Sequence, residues 1–352
     1  MPILAGPFVP AAWLALILLA GYLLHVGRSV LIPLALAILI WQLINAISAR
    51  VQRISFAGYV PGRWNRRLAA TLVVVLGLWF MVNLIAHNIG AVTANAPRYE
   101  ANLLALLPRL AGMFGLPPPA SVGDLMGQIR LDAVIRSVSA VLAGLLGSLG
   151  LVALYVAFML VEQETFDRKI DALFPDPERA GTVRGALAQI ERRIERYLWI
   201  KTLMSVAVAV LSWAVLSLIG CQNASFWALV VFIINYIPVL GSFIGVVFPS
   251  LLVLVQFGSF GPFFVSVMLL SFIQVGIGNF LEPRLMGSSL NLSPLAIIVS
   301  LAVWGGLWGL AGMFLCVPLT VILVIVCAQF DSTRPLAVLL SARGRPDEAV
   351  AS

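Results

Sequence analysis

The feature that most constrains this chain is a stretch of 129 residues, from Thr202 to Phe330, that holds only two formal charges, Glu282 and Arg284. An ordinary soluble domain has about a quarter of its residues charged and does not leave so long a segment uncharged. The whole chain agrees, since 61% of its residues are hydrophobic, 11% are charged and the mean hydropathy is +1.04. We therefore predict an integral membrane protein embedded in the lipid bilayer.

The membrane spans are predicted to be helical. Several apolar runs reach the roughly 20 residues that a helix needs to cross the hydrocarbon layer. The alternating pattern of an outer-membrane barrel is absent. The net charge of +7 does not indicate nucleic acid binding, because five arginines cluster between Arg50 and Arg67, and the positive-inside rule assigns them to the cytoplasm. The fold class is all-α and polytopic, with both termini predicted in the cytoplasm.

Composition divides the chain into six segments. In order they are three N-terminal transmembrane helices (1–90), an extracytoplasmic amphipathic segment (91–140), a fourth transmembrane helix (141–161), a cytoplasmic amphipathic helical segment (162–201), a transport core with broken helices (202–330) and a cytoplasmic tail (331–352). The segment 162–201 holds eight acidic and eight basic residues. Apolar residues recur in it at helical spacing, with Asp176 as the expected cap and Pro177 as the first helical position. We expect this helix to continue into the next span.

The transport core shows a plain apolar helix followed by an over-long, interrupted run, and shows this twice. The first unit is 202–219 with 225–257, and the second is 260–281 with 293–328. Gly and Pro residues are expected to break the long runs: Pro238, Gly241, Gly245, Pro249, Gly309, Gly312 and Pro318. The two units would be inverted relative to each other, and paired interruptions of this kind point to a transport site near the midplane. Eight crossings, or six crossings plus two re-entrant hairpins, both fit.

The two charges of the core flank a proline, in the sequence Glu282-Pro283-Arg284. A residue before proline is pushed out of the helical region, so we expect the helix to end at Glu282 and the chain to run extended through Arg284. Residues two apart in an extended segment project the same way. The alternative is a hydrated loop at the membrane interface, where such a pair is worth only about 0–1 kcal/mol.

Ionisable residues at membrane depth usually mark an ion, proton or substrate path. The candidate residues for binding substrate or ion are Glu282, Arg284, Asn279, Gln274 and Asn235. Pro283 and Gly287 join the residues expected at helix breaks or gates. The sequence contains no phosphate-binding loop, catalytic motif or metal-ligand spacing, so we predict no enzyme activity, no cofactor and no metal centre.

Two passages, NYIPVLGSFIGVVFP and NFLEPRLMGSSLNLSPLAIIVSLAVWGGLWGLAGMFLCVPLT, resemble the autoinducer-2 exporter family of bacterial membrane transporters, also called PerM-like permeases. FPDPERAG followed by IERRIERYLWIKT is similar to the cytoplasmic segment of the same family. The resemblance covers about 165–330 well and the first 160 residues mainly in hydropathy. It implies a transporter of the bacterial inner membrane, with export of a furanosyl autoinducer in some members and sodium or lithium exchange for protons in others.

Our leading hypothesis is a secondary transporter that exports a small polar solute, in one version coupled to H⁺ or Na⁺ through Glu282. A second hypothesis is Na⁺(Li⁺)/H⁺ antiport at the same site. A third is a membrane scaffold that recruits partners through 162–201, and a channel is a further alternative. Glycine-rich lipid-facing surfaces favour a homo-oligomer.

Overall fold

The computed structural model describes residues 8–51, 62–113, 147, 149–286 and 290–345. Within them nearly every residue is helical, and an isolated antiparallel bridge joins Leu292 to Ser341. The helices are α1 Phe8–Val26, α2 Arg28–Val51, α3 Arg63–Met113, α4 Leu149–Glu162, α5 Phe166–Leu173, α6 Pro177–Ile219, α7 Ala224–Ile234, α8 Leu240–Phe257, α9 Phe260–Gln274, a π-helix Val275–Leu281, α10 Glu282–Met286, α11 Pro294–Ala328 and α12 Arg334–Leu340.

Six helical segments among the described residues are long and apolar enough to cross a membrane. They are Arg28–Arg50, Trp64–Leu84, Pro177–Ile219, Leu240–Phe257, Phe260–Met286 and Pro294–Ala328. The pair α4 and α5 would add a seventh span, bent by 72° at its break. The chain is therefore a polytopic all-α membrane protein, as predicted.

Contacts divide the chain into two compact units. The first comprises Met1–Leu43, Leu149–Glu195 and Ser288–Ser352, and the second comprises Ile44–Ser148 and Arg196–Gly287. In the first unit α11 packs against α1 and α12, and Trp308 of α11 donates a hydrogen bond from Nε1 to the carbonyl of Leu24 at 2.9 Å. In the second unit α8 packs against α7, α9 and α3.

Helix α6 confirms the expected start and continuation of the charged segment. It begins at Pro177, and the side chain of Asp176 accepts a hydrogen bond from the backbone N–H of Glu178 at 3.1 Å. The carboxylate of Asp176 gives a hydrogen-bond partner to one of the free N–H groups at the start of the helix, and Pro177 has no N–H that would need one. The helix then runs without interruption for 43 residues to Ile219, so the charged segment and the following span are one rod.

Helix α3 differs from the sequence expectation. It is a single helix of 51 residues that continues through positions 91–113, where we expected the membrane helix to end near residue 90. Its polar second half is held to the second unit by Asn102, whose side-chain amide donates to the carbonyls of Val255 and Gln256 at 2.9 and 3.0 Å. Positions 114–146 lie outside the described residues, so the extracytoplasmic location of 91–140 stays a prediction.

The first over-long run of the core, 225–257, folds as an antiparallel helical hairpin. Helices α7 and α8 are separated by residues 235–239, and a Cβ added to Gly245 would lie 3.6 Å from the side chain of Val231, 14 positions earlier. At the open end the amide of Gln256 accepts from the N–H of Gln222 at 2.7 Å and donates to the carbonyl of Gly220 at 2.9 Å. Helix α7 has 11 residues, about 16 Å, and is too short to cross the bilayer.

The second over-long run, 293–328, also doubles back. Gly309 has φ 61° and ψ −140°, which interrupts α11 in its middle. The hydroxyl of Ser300 donates to the carbonyl of Cys316 at 3.1 Å and contacts the hydroxyl of Thr320. In an unbroken helix Ser300 and Cys316 would lie about 24 Å apart. Both predicted interruptions are therefore present, and each produces a hairpin with two antiparallel legs.

Candidate transport site

The break in the first hairpin is a sharp turn of backbone at its tip. The carbonyl of Pro238 accepts from the N–H of Leu240 at 2.6 Å, and Val239 between them has φ 64° and ψ −56°. This is the geometry of a classic γ-turn, which is rare and strained, and a β-branched residue adopts positive φ only at a cost. The break thus lies within residues 235–239.

Glycine permits the two legs of each hairpin to approach closely. A Cβ on Gly241 would collide with the carbonyl oxygen of Ile234 and lie 2.8 Å from the Cα of Asn235. In the second hairpin a Cβ on Gly312 would collide with the carbonyl oxygen of Trp304. Backbone atoms cannot move aside, so both positions require glycine.

Three other residues expected at helix breaks do not break helices. Pro249 lies inside α8, and Pro318 lies inside the second leg of α11. Both are buried in the packed interior, where neighbouring groups can satisfy the carbonyl that a proline leaves without its helical donor. Pro283 lies in α10, which continues directly from the π-helix that ends at Leu281, so it does not break the helix either. Gly287 lies outside the described residues.

The segment around Glu282 is helical, which contradicts the extended course expected for it. Glu282 has φ −59° and ψ −49° and begins α10, which runs to Met286. Side chains two positions apart on a helix point to nearly opposite sides. Glu282 is accordingly turned inward, while Arg284 is exposed. The expected shared surface of these two charges is therefore wrong.

The π-helix just before Pro283 explains why the residue preceding proline stays helical. In it the N–H of Glu282 donates to the carbonyl of Ile277, five residues earlier, so the hydrogen-bond register is shifted by one. A wider turn relieves the clash between a proline ring and the carbonyl four residues before it. π-helices are rare and frequently occur at functional sites.

Glu282 forms an ion pair with Lys201 of α6. The distance from Lys201 Nζ to Glu282 Oε1 is 2.7 Å, and the side chains are only 8% and 15% exposed. A charged hydrogen bond of this length is strong, and an ion pair removed from water is screened far less than one at the surface. The partner of Glu282 is therefore a residue 81 positions away, and Arg284 forms no ion pair among the described residues.

Two further polar contacts join α6 to the break of the first hairpin. The hydroxyls of Thr202 and Tyr236 are 2.6 Å apart, and the side-chain amide of Asn235 donates to the hydroxyl of Ser205 at 3.0 Å. Asn235, Tyr236 and Ser205 are buried. Lys201, Thr202 and Ser205 of α6 thus contact Glu282, Tyr236 and Asn235 respectively, and we call these six residues the polar row.

Gln274 is buried beside the first hairpin with an amide that has no partner. It is 4% exposed, and neither Nε2 nor Oε1 forms a hydrogen bond. A Cβ on Gly245 would lie 2.8 Å from this Nε2, so glycine makes room for the amide. Asn279, one of the other candidates, is exposed in the π-helix and does not reach the polar row. The structure thus brings Glu282 and Asn235 to one side of α6 and leaves Arg284 and Asn279 outside.

Sequence reasoning missed Lys201, Thr202 and Ser205. Lys201 is the last residue of the cytoplasmic amphipathic segment 162–201, directly before the stretch from Thr202 to Phe330. The signal was present, because Lys201 and Ser205 are four residues apart and lie on one face of α6, next to the buried stripe of Ile200, Met204 and Val208. A polar stripe that continues from a cytoplasmic helix into a span is the pattern that would have identified them.

Comparison with known proteins agrees with this architecture. The sequence profile of the AI-2E family transporter matches residues 12–331 of this chain. The chain is 30% identical to the AI-2 transport protein TqsA of Escherichia coli, over 96% of this chain and 98% of that protein. It is 30% identical to the putative transport protein YhhT and 28% identical to the putative permease PerM of the same organism, over 94% and 88% of this chain and 92% and 90% of those proteins. A polytopic helical chain with this match along nearly its whole length belongs to the AI-2E transporter family of membrane permeases.

Proposed function

We propose that this protein is a secondary transporter that exports a small polar solute of the autoinducer-2 type across the bacterial inner membrane. The family supports membrane transport, and a relative named for AI-2 transport supports this solute class. Export also requires a path for polar groups through the apolar core. The polar row and the broken backbone of the first hairpin supply such groups.

The observation that carries the proposal is the buried Lys201–Glu282 ion pair. Glu282 lies in Phe260–Met286, which qualifies as a membrane span, and Lys201 directly precedes the uncharged part of the span-forming helix Pro177–Ile219. Charges in such segments are expensive and usually face a substrate or ion path. The neighbouring hydroxyls and the amide of Asn235 give a polar solute hydrogen-bonding partners along the same row.

The test is flux of autoinducer-2 in proteoliposomes under imposed proton or sodium gradients. We expect wild-type flux and a loss of at least about tenfold in Glu282→Gln, because the carboxylate is removed from the path. Arg284→Gln is the matched control, since this charge is exposed two residues away, and its flux should equal that of wild type. Equal flux in wild type and Glu282→Gln under every gradient would overturn the role of Glu282.

The second candidate function is Na⁺(Li⁺)/H⁺ antiport at the same carboxylate. The observation that favours it is that Glu282 is the single carboxylate between Thr202 and Phe330 and that it pairs with the ammonium of Lys201. The same proteoliposomes distinguish the two functions. Antiport gives cation-dependent proton flux without any organic solute, whereas solute export requires the solute.

A scaffold function through 162–201 makes the opposite prediction from transport. In that case charge reversals on the exposed charges of α6, such as Arg192→Glu, would abolish the function while Glu282→Gln would leave it intact. Residence in the inner membrane, cytoplasmic termini and a homo-oligomeric assembly belong to the transport proposal, and each is testable on the purified protein or on fusions.

A further inference from the structure

The ion pair leaves no uncompensated charge on Glu282 in this conformation. The Lys201 ammonium lies 2.7 Å from Oε1, so a free cation at this oxygen would have to displace it. Because both side chains are largely buried, a second cation beside this ammonium would meet a strong like-charge repulsion. The carboxylate can therefore bind Lys201 or a free cation, but not both at once.

The surroundings favour a small monovalent metal ion as the free cation. Glu282 presents carboxylate oxygens, and Thr202, the residue next to Lys201 on α6, presents a hydroxyl that contacts the hydroxyl of Tyr236. Hard cations prefer oxygen ligands. A single carboxylate with neutral oxygens suits an ion of charge +1.

Lysine is suited to act as a tethered substitute for such an ion. Its ammonium is a compact point charge on a flexible four-carbon stem, so it can leave the carboxylate by rotation of its own side chain. An arginine would present a planar fork instead, and its charge would be spread over a larger group.

We propose that Lys201 is a built-in competitor for a coupling ion, Na⁺ or Li⁺, at Glu282. This inference rests on the ion-coupled version of the proposed transport and adds its regulation: the cation binds only when the ammonium has left the carboxylate. One state then has Lys201 on Glu282 and no metal ion, and the other has the metal ion on Glu282 and Lys201 displaced. Removal of Lys201 should make the site bind the cation more tightly.

The first test measures Na⁺ and Li⁺ binding to the purified full-length protein by isothermal titration calorimetry at fixed pH, with choline as the control cation. We expect Lys201→Gln to bind Na⁺ at least about tenfold more tightly than wild type, because a like charge has been removed. Glu282→Gln and the double variant should lose this binding. Lys169→Gln is the matched control, because Lys169 pairs with Glu162 at an exposed position, and it should bind as wild type does.

A second measurement uses wild-type protein, in case Lys201→Gln fails to fold with an unpaired carboxylate. Mass spectrometry follows the rate at which an amine-reactive reagent acylates Lys201. Na⁺ or Li⁺ should raise this rate at least about threefold, while choline should not, since only a metal ion releases the ammonium from Glu282. Lys169, with its exposed amine, reports any general effect of salt.

Three results would overturn the proposal. They are equal Na⁺ affinity in folded Lys201→Gln and wild type, unchanged binding in Glu282→Gln, and acylation of Lys201 that is indifferent to Na⁺ and Li⁺. Solute flux separates this failure from that of the proposed function. Wild-type export that continues without any cation binding removes the competitor role and leaves transport intact, whereas absent flux with cation binding removes the solute assignment.

Discussion

The ion pair between Lys201 and Glu282 has a residue-scale consequence for stability. Breaking a buried pair by removing one partner leaves an uncompensated charge, which typically costs about 3–5 kcal/mol, whereas replacing both partners is often neutral or stabilising. The pair here is 8% and 15% exposed, so this reasoning applies to it with only slight screening by solvent.

We expect Lys201→Met and Glu282→Leu each to lower the free energy of unfolding by about 3 kcal/mol, and the double variant to recover most of that loss. Denaturant unfolding in detergent measures all three. Arg284→Gln should lie within about 0.5 kcal/mol of wild type, because its side chain is exposed. Additive losses in the double variant would mean that the two residues do not act as a pair.

Two buried glutamines allow a matched comparison of satisfied and unsatisfied amides. Gln256 donates to Gly220 and accepts from Gln222, whereas Gln274 makes no hydrogen bond. We expect Gln256→Leu to destabilise the protein by about 1–3 kcal/mol and Gln274→Leu to be neutral or stabilising. Thermal unfolding checks the order. If Gln274→Leu instead destabilises as strongly as Gln256→Leu, the amide of Gln274 has a partner in the folded protein.

Residue roles were the part that sequence could predict least. Glu282 is identifiable from sequence because it is a rare charge in an apolar stretch, but the rule about the residue before proline predicts only that it shares a surface with Arg284. The partner is Lys201, which tertiary packing brings from 81 positions away. A single sequence carries no direct record of such long-range contacts.

At the scale of elements, the interruption of both long runs was predictable because glycine and proline are clustered where a helix would lose backbone hydrogen bonds. The chemistry of the break was less predictable. Gly309 breaks its helix by a left-handed φ, but Pro249 and Pro318 remain inside helices, since packed neighbours accommodate them. The π-helix also has no sequence rule that would place it at Val275–Leu281.

Paired alanine substitutions test the close approach of the hairpin legs. Gly312→Ala should cost about 3 kcal/mol or more, because its Cβ would collide with the backbone of Trp304, whereas Gly306→Ala, with open space around it, should be neutral or stabilising by up to about 1 kcal/mol. For the other hairpin, Gly241→Ala is compared with Gly261→Ala, a position with open space in the neighbouring helix α9. The unfolding midpoint in detergent measures each pair, and equal midpoints within a pair would contradict the hairpin geometry.

At the scale of the whole molecule, the polytopic helical class was predictable from hydropathy, and the family was predictable from motifs that keep their order along the chain. The inverted repeat stays a prediction. Each of its two units ends in an antiparallel hairpin, at 225–257 and 293–328, and these hairpins belong to different compact units. The long helix α3 was not predicted beyond residue 90, because its second half is too polar to read as a span.

The membrane topology of the chain can be tested directly with reporter fusions. The arginines between Arg50 and Arg67 predict cytoplasmic termini. A fluorescent protein fused after the C-terminus should fluoresce, and alkaline phosphatase inserted near residue 120 should be active, because the former matures only in the cytoplasm and the latter outside it. Phosphatase inserted near residue 165 is the control and should be inactive. Active phosphatase at residue 165 would invert the orientation.

The π-helix between Gln274 and Glu282 can change the orientation of Glu282 through a shift in hydrogen-bond register. Its hydrogen bonds run five residues back, and a slip of one residue would return the segment to ordinary α-helical spacing. Each residue of an α-helix turns the chain by about 100° and advances it by about 1.5 Å. Such a slip would swing the carboxylate of Glu282 around the helix axis and away from the ammonium of Lys201, with no hinge and no unfolding.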